Sequence, residues 1–409
     1  MVFATVASGV FMWAVHLFSK VIPPAEYGVL GTMLQLLNWV IIPAIGLQMV
    51  FAQQAGAALD AGQQRALAST ARGVAKGVFI VWLAVALFVA ARQEELCTTF
   101  KVANPAALWV TLASGLALLW LPIFQGVLQG RQNFLWFGLA GIFSGVGRFA
   151  AAGVIVLALG GWAAGILSGV LVGLLAALAV AAWQCRDLLR GAAPTFEARP
   201  WAGRVLPLTV GFGAGQFMFA ADQVFVQANF SADATGPYVA AGTLARALVM
   251  FTGPLAAVMF PKIVRSVATS DSTDVLRLTF LGTLAMGAGG ALALSVMAPL
   301  FLKLGFNPKF VSIAPLVPWF AWAMVPMALA SVLVNNLMAR GLFRAVPALL
   351  GVAVMYSVAL AVLVPKFAAT LPPLAGFVRV TQVLGCFNLL LLAVAAWFTW
   401  RARAPAPAQ

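Results

Sequence analysis

Apolar runs about 20 residues long recur along nearly the whole chain, and each is long enough to cross a hydrocarbon core ~30 Å thick as a helix rising 1.5 Å per residue. Twelve such spans are expected, at 2–19, 28–50, 73–91, 106–127, 135–157, 161–184, 205–228, 237–260, 278–301, 312–338, 345–364 and 373–398. The runs are continuous, whereas a membrane barrel would alternate apolar and polar residues over ~10-residue segments. With 63% hydrophobic and 8% charged residues among 409, and a mean hydropathy of +1.02, no residues remain for a soluble domain. An all-α polytopic membrane protein follows.

The longest connection, residues 185–204, holds charges and prolines ("RDLLRGAAPTFEARPWAGR") and marks the boundary between two six-helix lobes, 1–184 and 205–400, with a short tail at 401–409. The first span has no basic segment before it, the first cation being Lys20, so it is read as a retained helix and not a signal peptide. Loop charges orient the chain. With the N-terminus in the cytoplasm, that side collects Arg65, Arg72, Lys76, Arg131, Arg186, Arg190, Arg199, Arg204, Lys262, Arg265, Arg277, Arg340, Arg344, Arg401 and Arg403. The opposite side holds only Lys20, Arg92, Lys101, Lys303, Lys309 and Lys366. Both termini are therefore expected inside. The formal charge of +14 is then a matter of topology and gives no support to nucleic-acid binding.

The chain repeats itself. "YGVLGTMLQLLNWVIIP" (27–43) aligns without a gap on "YVAAGTLARALVMFTGP" (238–254), sharing Tyr27/Tyr238, Gly31/Gly242, Thr32/Thr243, Leu37/Leu248 and Pro43/Pro254. "VLQGRQNFLWFGLAG" (127–141) is echoed by "LMARGLFRAVPALLG" (337–351), each a short turn with an Arg. The offsets, 211 residues for the first pair and 209 for Arg131/Arg340, indicate an internal duplication. Six spans per half give the halves the same orientation, and transporters built from such parallel repeats bind substrate between them.

A charge at the centre of a membrane helix costs about 2.5–3.5 kcal/mol on insertion scales, so it faces protein or a watery cavity. The interior groups are His16, Arg148, Asp222, Arg246 and Arg379. Arg246 is the deepest, and it shares a stripe with Tyr238, Gly242 and Gly253. The matching stripe in the second span is Tyr27, Gly31, Gln35 and Asn38, with Gln35 in the place of Arg246. The seventh span adds Thr209, Gln216, Gln223 and Gln227, with Asp222 alongside. These stripes suggest a hydrated central cavity lined by the second, seventh and eighth spans, including Gln35, Asn38, Gln216, Gln223 and Tyr238. Two readings of Arg246 stay open, a buried ion pair with Asp222 and a contact with substrate, and both can hold, since an Asp can orient an Arg that also meets substrate. Asp222 is likewise a candidate for coupling to a proton or cation. Arg148 is either a packing contact near "GIFSGVG" or a substrate contact, and Arg379 and His16 lie where snorkelling to the outer surface would serve. Three Arg against one Asp favour an anionic ligand, and the planar Arg fork suits phosphate or diphosphate. "GFGAG" (211–215), Pro43, Pro254, Pro315, Pro318 and Pro326 add bending points compatible with alternating access.

No phosphate-binding "GxxxxGK[ST]" loop occurs, and one His with ten carboxylates mostly in loops offers little for an active site, so neither nucleotide hydrolysis nor an enzyme is expected. Cys97, Cys185 and Cys386 fall on an outer loop, an inner loop and a helix, where they neither pair nor share metal-ligand spacing. No cofactor or metal is expected.

"PPAEYGVLGTMLQLLNWVIIPAIGLQMVFAQQAG" after the first span, "LQGRQNF" between the fourth and fifth, and "DQVFVQANFSADATGPYVAAGTLARALVMFTGPLAAVMFPKIVR" across the seventh and eighth resemble the polysaccharide transporter branch of the multidrug/oligosaccharidyl-lipid/polysaccharide (MOP) exporter superfamily, the branch of Wzx-type flippases. The resemblance spans essentially the whole chain. It implies two six-helix bundles in a V around a central, often cationic, cavity. It also implies a bacterial inner-membrane protein that moves an undecaprenyl-diphosphate-linked oligosaccharide to the outer leaflet for surface polysaccharide such as the O-antigen of lipopolysaccharide. Arg246, with Arg148 and Arg379, would meet the diphosphate or acidic sugars, the lipid tail would stay in the bilayer, and polysaccharide assembly proteins would be associates. The sparse charge of the N-terminal half departs from this pattern. A multidrug exporter of the same superfamily would instead place acids in its cavity, where only Asp222 is available. A membrane-bound polysaccharide polymerase would carry a large outer loop, and the longest here is residues 92–105. A facilitator for small solutes remains a further alternative.

Overall fold

The computed structural model describes residues 9–58, 60–189, 198–267 and 272–401. Residues 2–8 of the expected first span, 190–197 of the expected linker and 402–409 of the tail lie outside the described residues. Among those described every regular element is helical, as continuous apolar sequence requires where no water is present to satisfy the backbone.

The first span is a helix over residues 9–14 (α1) that tightens into a 3-10 turn, Val15–Lys20. Then follow α2 (Pro24–Ala57), α3 (Ala61–Ala91), the short α4 (Gln93–Thr99), α5 (Ala106–Gly130), α6 (Phe134–Leu159) and α7 (Trp162–Gln184). The second half comprises α8 (Ala198–Asn229), α9 (Ala232–Val267), α10 (Ser272–Gly305), a 3-10 turn Pro308–Leu316 leading into α11 (Val317–Ala339), α12 (Val346–Thr370) and α13 (Pro373–Arg401). Among the described residues nine helices are long and apolar enough to cross a membrane. The remaining expected spans correspond to α1 with its 3-10 turn, α8 and α9.

Several helices outrun the apolar runs. The third span is expected from residue 73, yet α3 starts at Ala61. Asp60 accepts from the Gln63 backbone N–H at 2.7 Å and the Gln63 side chain accepts from the Asp60 N–H at 3.3 Å, a capping box that begins the helix outside the apolar window. Likewise α8 begins at Ala198, within the segment expected to be a linker.

The chain divides into two compact units, Met1–Thr209 and Val210–Gln409, so the division falls inside α8. In unit 1 α2 packs along α5 and α6 along α7. In unit 2 α11 is central and packs on α9, α10 and α13.

The duplication is visible in the backbone. At the turn after α5, Arg131, Gln132, Asn133 and Phe134 donate their N–H groups to the carbonyls of Val127, Gln129, Leu128 and Gln132. At the turn after α11, Arg340, Gly341, Leu342 and Phe343 donate to Asn336, Met338, Leu337 and Gly341, the same four bonds 209 residues later. Both turns close through a left-handed residue, Gln132 (φ 58°) and Gly341 (φ 66°), the helix-ending motif that leaves no late carbonyl unpaired.

In unit 1 that turn is tied to the end of α7 by a two-pronged ion pair, Arg131 Nη1–Asp187 Oδ1 at 3.0 Å and Nη2–Oδ2 at 2.5 Å. The hydrogen bond from Arg131 holds the Asp187 carboxyl below its usual range. A depressed carboxyl contributes stability above its unfolded pKa of about 4 and loses it as pH falls through the lower folded value. Because the side chains are 30% and 53% exposed, Asp187→Asn is expected to cost under about 1 kcal/mol at neutral pH and nothing in strong acid; thermal unfolding across that pH range checks it. Beneath the pair Cys185 is fully buried, and burial pushes its thiol up to about 12. It should therefore resist a maleimide at pH 7.5 in the folded chain and react once unfolded, as mass spectrometry of the labelled protein would report.

Candidate functional site

The polar interior of unit 2 centres on Arg246, 14 residues into α9 from Ala232, or about 21 Å along the helix. A glycine one turn earlier makes its space: a Cβ on Gly242 would strike Arg246 Nη1. The guanidinium reaches across to α8. Its Nη2 donates to both oxygens of Asp222 at 2.7 Å, Nε donates to the Phe219 carbonyl at 2.8 Å, and Nη1 donates to Gln223 Oε1 at 3.1 Å. Tyr238, two turns before Arg246, donates its hydroxyl to Asp222 Oδ2 at 2.6 Å.

Aromatic rings close the network. The guanidinium carbon stands 5.7 Å from the Phe219 ring centre and 5.1 Å from that of Phe320 on α11, within cation–π range. Tyr238 lies between Phe320 and Phe377 of α13, with centroids at 5.3 and 5.0 Å. Arg246 is 3% exposed, and Asp222 and Tyr238 are fully buried. The cation and carboxylate thus neutralise one another inside the helix bundle.

Arg246, Gln223 and Tyr238, expected to line a cavity, make these contacts within unit 2. A stripe of polar residues identifies the face of a helix but not its neighbour, and here the neighbour is another helix offering a carboxylate. The ion pair of Arg246 with Asp222 is present and buried. Gln216, also expected to line a cavity, is half-buried on α8.

Unit 1 repeats the tyrosine tie with different chemistry. Tyr27, the counterpart of Tyr238, is also fully buried, and its hydroxyl lies 2.8 Å from His16 Nδ1 in the first span. In each unit, then, a tyrosine early in the second long helix engages a titratable group on the preceding one. Gln35, the counterpart of Arg246, accepts from Asn38 at 2.7 Å, so that position carries no charge. The charge of unit 1 sits instead on α6: Arg148 is half-buried, and its Nε is buried without an acceptor. Beside it Phe149 stacks on Phe18, centroids 5.5 Å apart.

Arg379 is exposed, six residues from the start of α13, and donates to Gln382 at 3.1 Å. The three arginines therefore have three different surroundings. Sequence spacing did not reveal the His16–Tyr27 contact or the Phe219, Phe320 and Phe377 enclosure; Gly242 four residues before Arg246 was the one visible signal. Among the described residues no three His, Cys, Asp or Glu gather as metal ligands.

No family model matches the chain, and no curated protein matches its sequence. Its structure does have counterparts. An inward-facing multidrug resistance MATE family transporter of the MOP superfamily superposes with a TM-score of 0.75 at 12% identity, covering 96% of this chain and 94% of that one. The lipid II flippase MurJ in an inward closed conformation gives 0.72 at 13% identity, over 97% of this chain and 88% of the flippase. The fold is that of MOP-superfamily transporters. A third MOP transporter, from Pyrococcus furiosus and described as having a binding pocket of reverse polarity, gives 0.60 at 12% identity, covering 97% and 92%. The MOP fold therefore hosts both drug exporters and a lipid flippase, and only the groups inside it can decide between such substrates.

Proposed function

We propose that the chain is a Wzx-type flippase. It moves an undecaprenyl-diphosphate-linked oligosaccharide from the cytoplasmic to the outer leaflet of a bacterial inner membrane by alternating access, for surface polysaccharide synthesis. The observation that carries this proposal is the charge left inside. Asp222, the interior carboxylate, is bound by Arg246 and Tyr238, while the half-buried Arg148 has no carboxylate on it among the described residues. An uncompensated interior cation suits an anionic lipid headgroup and repels an organic cation. Both termini lie in the cytoplasm on the Lys and Arg bias of the loops, and polysaccharide assembly proteins are the expected associates.

Coupling to H+ or Na+ at Asp222 would first require Arg246 to be displaced from it. The aromatic enclosure opposes that, so flipping is expected to persist when the gradients of both ions are collapsed.

Inactivating the gene in its native host tests the function. Loss of surface polysaccharide with lipid-linked oligosaccharide accumulating on the cytoplasmic side is the expected result. Unchanged polysaccharide with heightened sensitivity to cationic dyes would instead mark a drug exporter.

A further inference from the structure

The unbalanced charge resides in unit 1, and its position is fixed by packing. Arg148 lies 14 residues from Phe134 and 11 from Leu159 at the two ends of α6, about 21 and 16 Å along the helix. Both distances exceed the reach of an arginine side chain. The helix cannot shift to shorten them, because α7 grips it: Gly173 packs on the Ser144 carbonyl and the Arg148 backbone so closely that a Cβ would strike both, and Gly169 does the same at Ala152.

No internal acceptor answers this cation. Arg148 makes no hydrogen bond or ion pair among the described residues, and its Nε is buried. Four carboxylates of unit 1 are engaged at helix ends. Glu26 accepts from the Ala163 N–H at 3.2 Å, Asp60 caps α3, Glu95 holds Arg92 at 2.6 Å, and Asp187 holds Arg131. The titratable neighbour of Arg148 is His16, within electrostatic range of it and held through Nδ1 by Tyr27. A half-buried guanidinium whose Nε is buried without an acceptor carries a cost, and an anion arriving from outside the chain would offset it. Arg246 is the internal contrast, since the chain supplies its own anion there.

We propose that Arg148, with His16 beside it, is the anion-binding site of unit 1, that it takes a phosphate or diphosphate ester, and that Arg246 has no part in it. The proposal rests on reading the chain as a carrier of an anionic lipid, and it moves the substrate contact from the duplicated second helix of the lobe to α6. The guanidinium fork supplies two parallel donors to phosphate oxygens.

The test uses the full chain in phosphatidylcholine nanodiscs, titrated calorimetrically with farnesyl diphosphate, inorganic pyrophosphate and farnesol. The wild type should bind both diphosphates and not the alcohol. Arg148→Gln should weaken diphosphate binding roughly tenfold to a hundredfold, the range set by hydrogen bonds to a charged group. Arg148→Lys should fall between, and His16→Gln should lose less than Arg148→Gln. The double variant Asp222→Leu/Arg246→Met should bind like the wild type, and melting curves confirm that each variant is folded. If added phosphatidylglycerol competes in the wild type and not in Arg148→Gln, the site stands and also accepts ordinary anionic headgroups. Folded Arg148→Gln binding as tightly as the wild type would overturn the site. If the double variant alone lost binding, the anionic-lipid function would survive with the site elsewhere. If the wild type bound tetraphenylphosphonium and no diphosphate, the function would fall as well.

Discussion

Asp222→Ala is expected to destabilise the chain by about 3–5 kcal/mol, because it leaves a buried guanidinium with no counter-charge. The Phe219 carbonyl and Gln223 still accept from Arg246, but neither carries a charge. Arg246→Met strands the carboxylate in the same way, with Tyr238 its remaining donor. Removing both charges should behave differently. Replacing a buried pair by apolar side chains of similar size is commonly neutral or stabilising, so Asp222→Leu/Arg246→Met should recover most of the loss. Thermal or denaturant unfolding of the wild type, Asp222→Leu, Arg246→Met and the double variant gives the coupling directly. A fully stable Asp222→Ala would contradict the buried-pair reading. So would a stable double variant that has lost transport, since a structural tie can be replaced while a substrate contact cannot.

The second large effect concerns the α2–α5 contact. A Cβ at Gly126 would lie 2.5 Å from the Gln48 carbonyl and 2.7 Å from the Phe51 Cβ, and one at Gly130 would meet the Ala52 carbonyl and the Ala55 Cβ. Real carbon–oxygen contacts do not close to that distance, so any side chain must push the helices apart. Small residues at four-residue spacing permit such an approach, and packing at this range is what associates helices in lipid, where no hydrophobic drive exists. Gly126→Val is expected to cost several kcal/mol, within the upper range of core overpacking, and Gly126→Ala less. The 3.1 Å bond between Gln48 and Gln129 across the same seam would be lost in parallel. Yield and melting temperature of the purified variants report the effect; a Gly126→Val protein as stable as the wild type would mean that α2 and α5 are free to separate.

How much of this could be read from residues alone differs by feature. Span count and duplication were legible because each rests on a pattern internal to a segment: continuous apolarity in one case, repeated spacing in the other. The turn repeat was seen as "GRQNF" against "ARGLF", and the backbone bonds there agree one for one. Helix extent was less legible, since hydropathy marks only the part in lipid and the first turns of α3 are set by the Asp60 cap. The interior charges were identified, but their partnerships depend on which helices touch. Arg246 and Asp222 lie 24 residues apart with a turn between, so pairing was one open possibility. That Arg148 meets no carboxylate could emerge only once α6, α7 and the first span were packed together.

The two tyrosine ties illustrate the same division. Tyr27 and Tyr238 were matched by sequence, and both are buried with the hydroxyl on the preceding helix. What they meet, an imidazole in unit 1 and a carboxylate in unit 2, was not given by the repeat. Tyr238→Phe removes a bond to a buried charge and should cost about 1.5–3 kcal/mol. Tyr27→Phe removes one to a half-buried histidine and should cost less, a difference that parallel melting curves would resolve.

The central claim is that the chain carries an anionic lipid rather than an organic cation. It is tested most directly in proteoliposomes holding the full chain and a fluorescent oligosaccharide on a short prenyl diphosphate, with a membrane-impermeant quencher outside. The wild type should exchange the labelled lipid between leaflets, Arg148→Gln should slow that exchange at least tenfold, and a fluorescent organic cation should not be moved. Exchange no faster than in protein-free vesicles, together with uptake of the cation, would contradict the account.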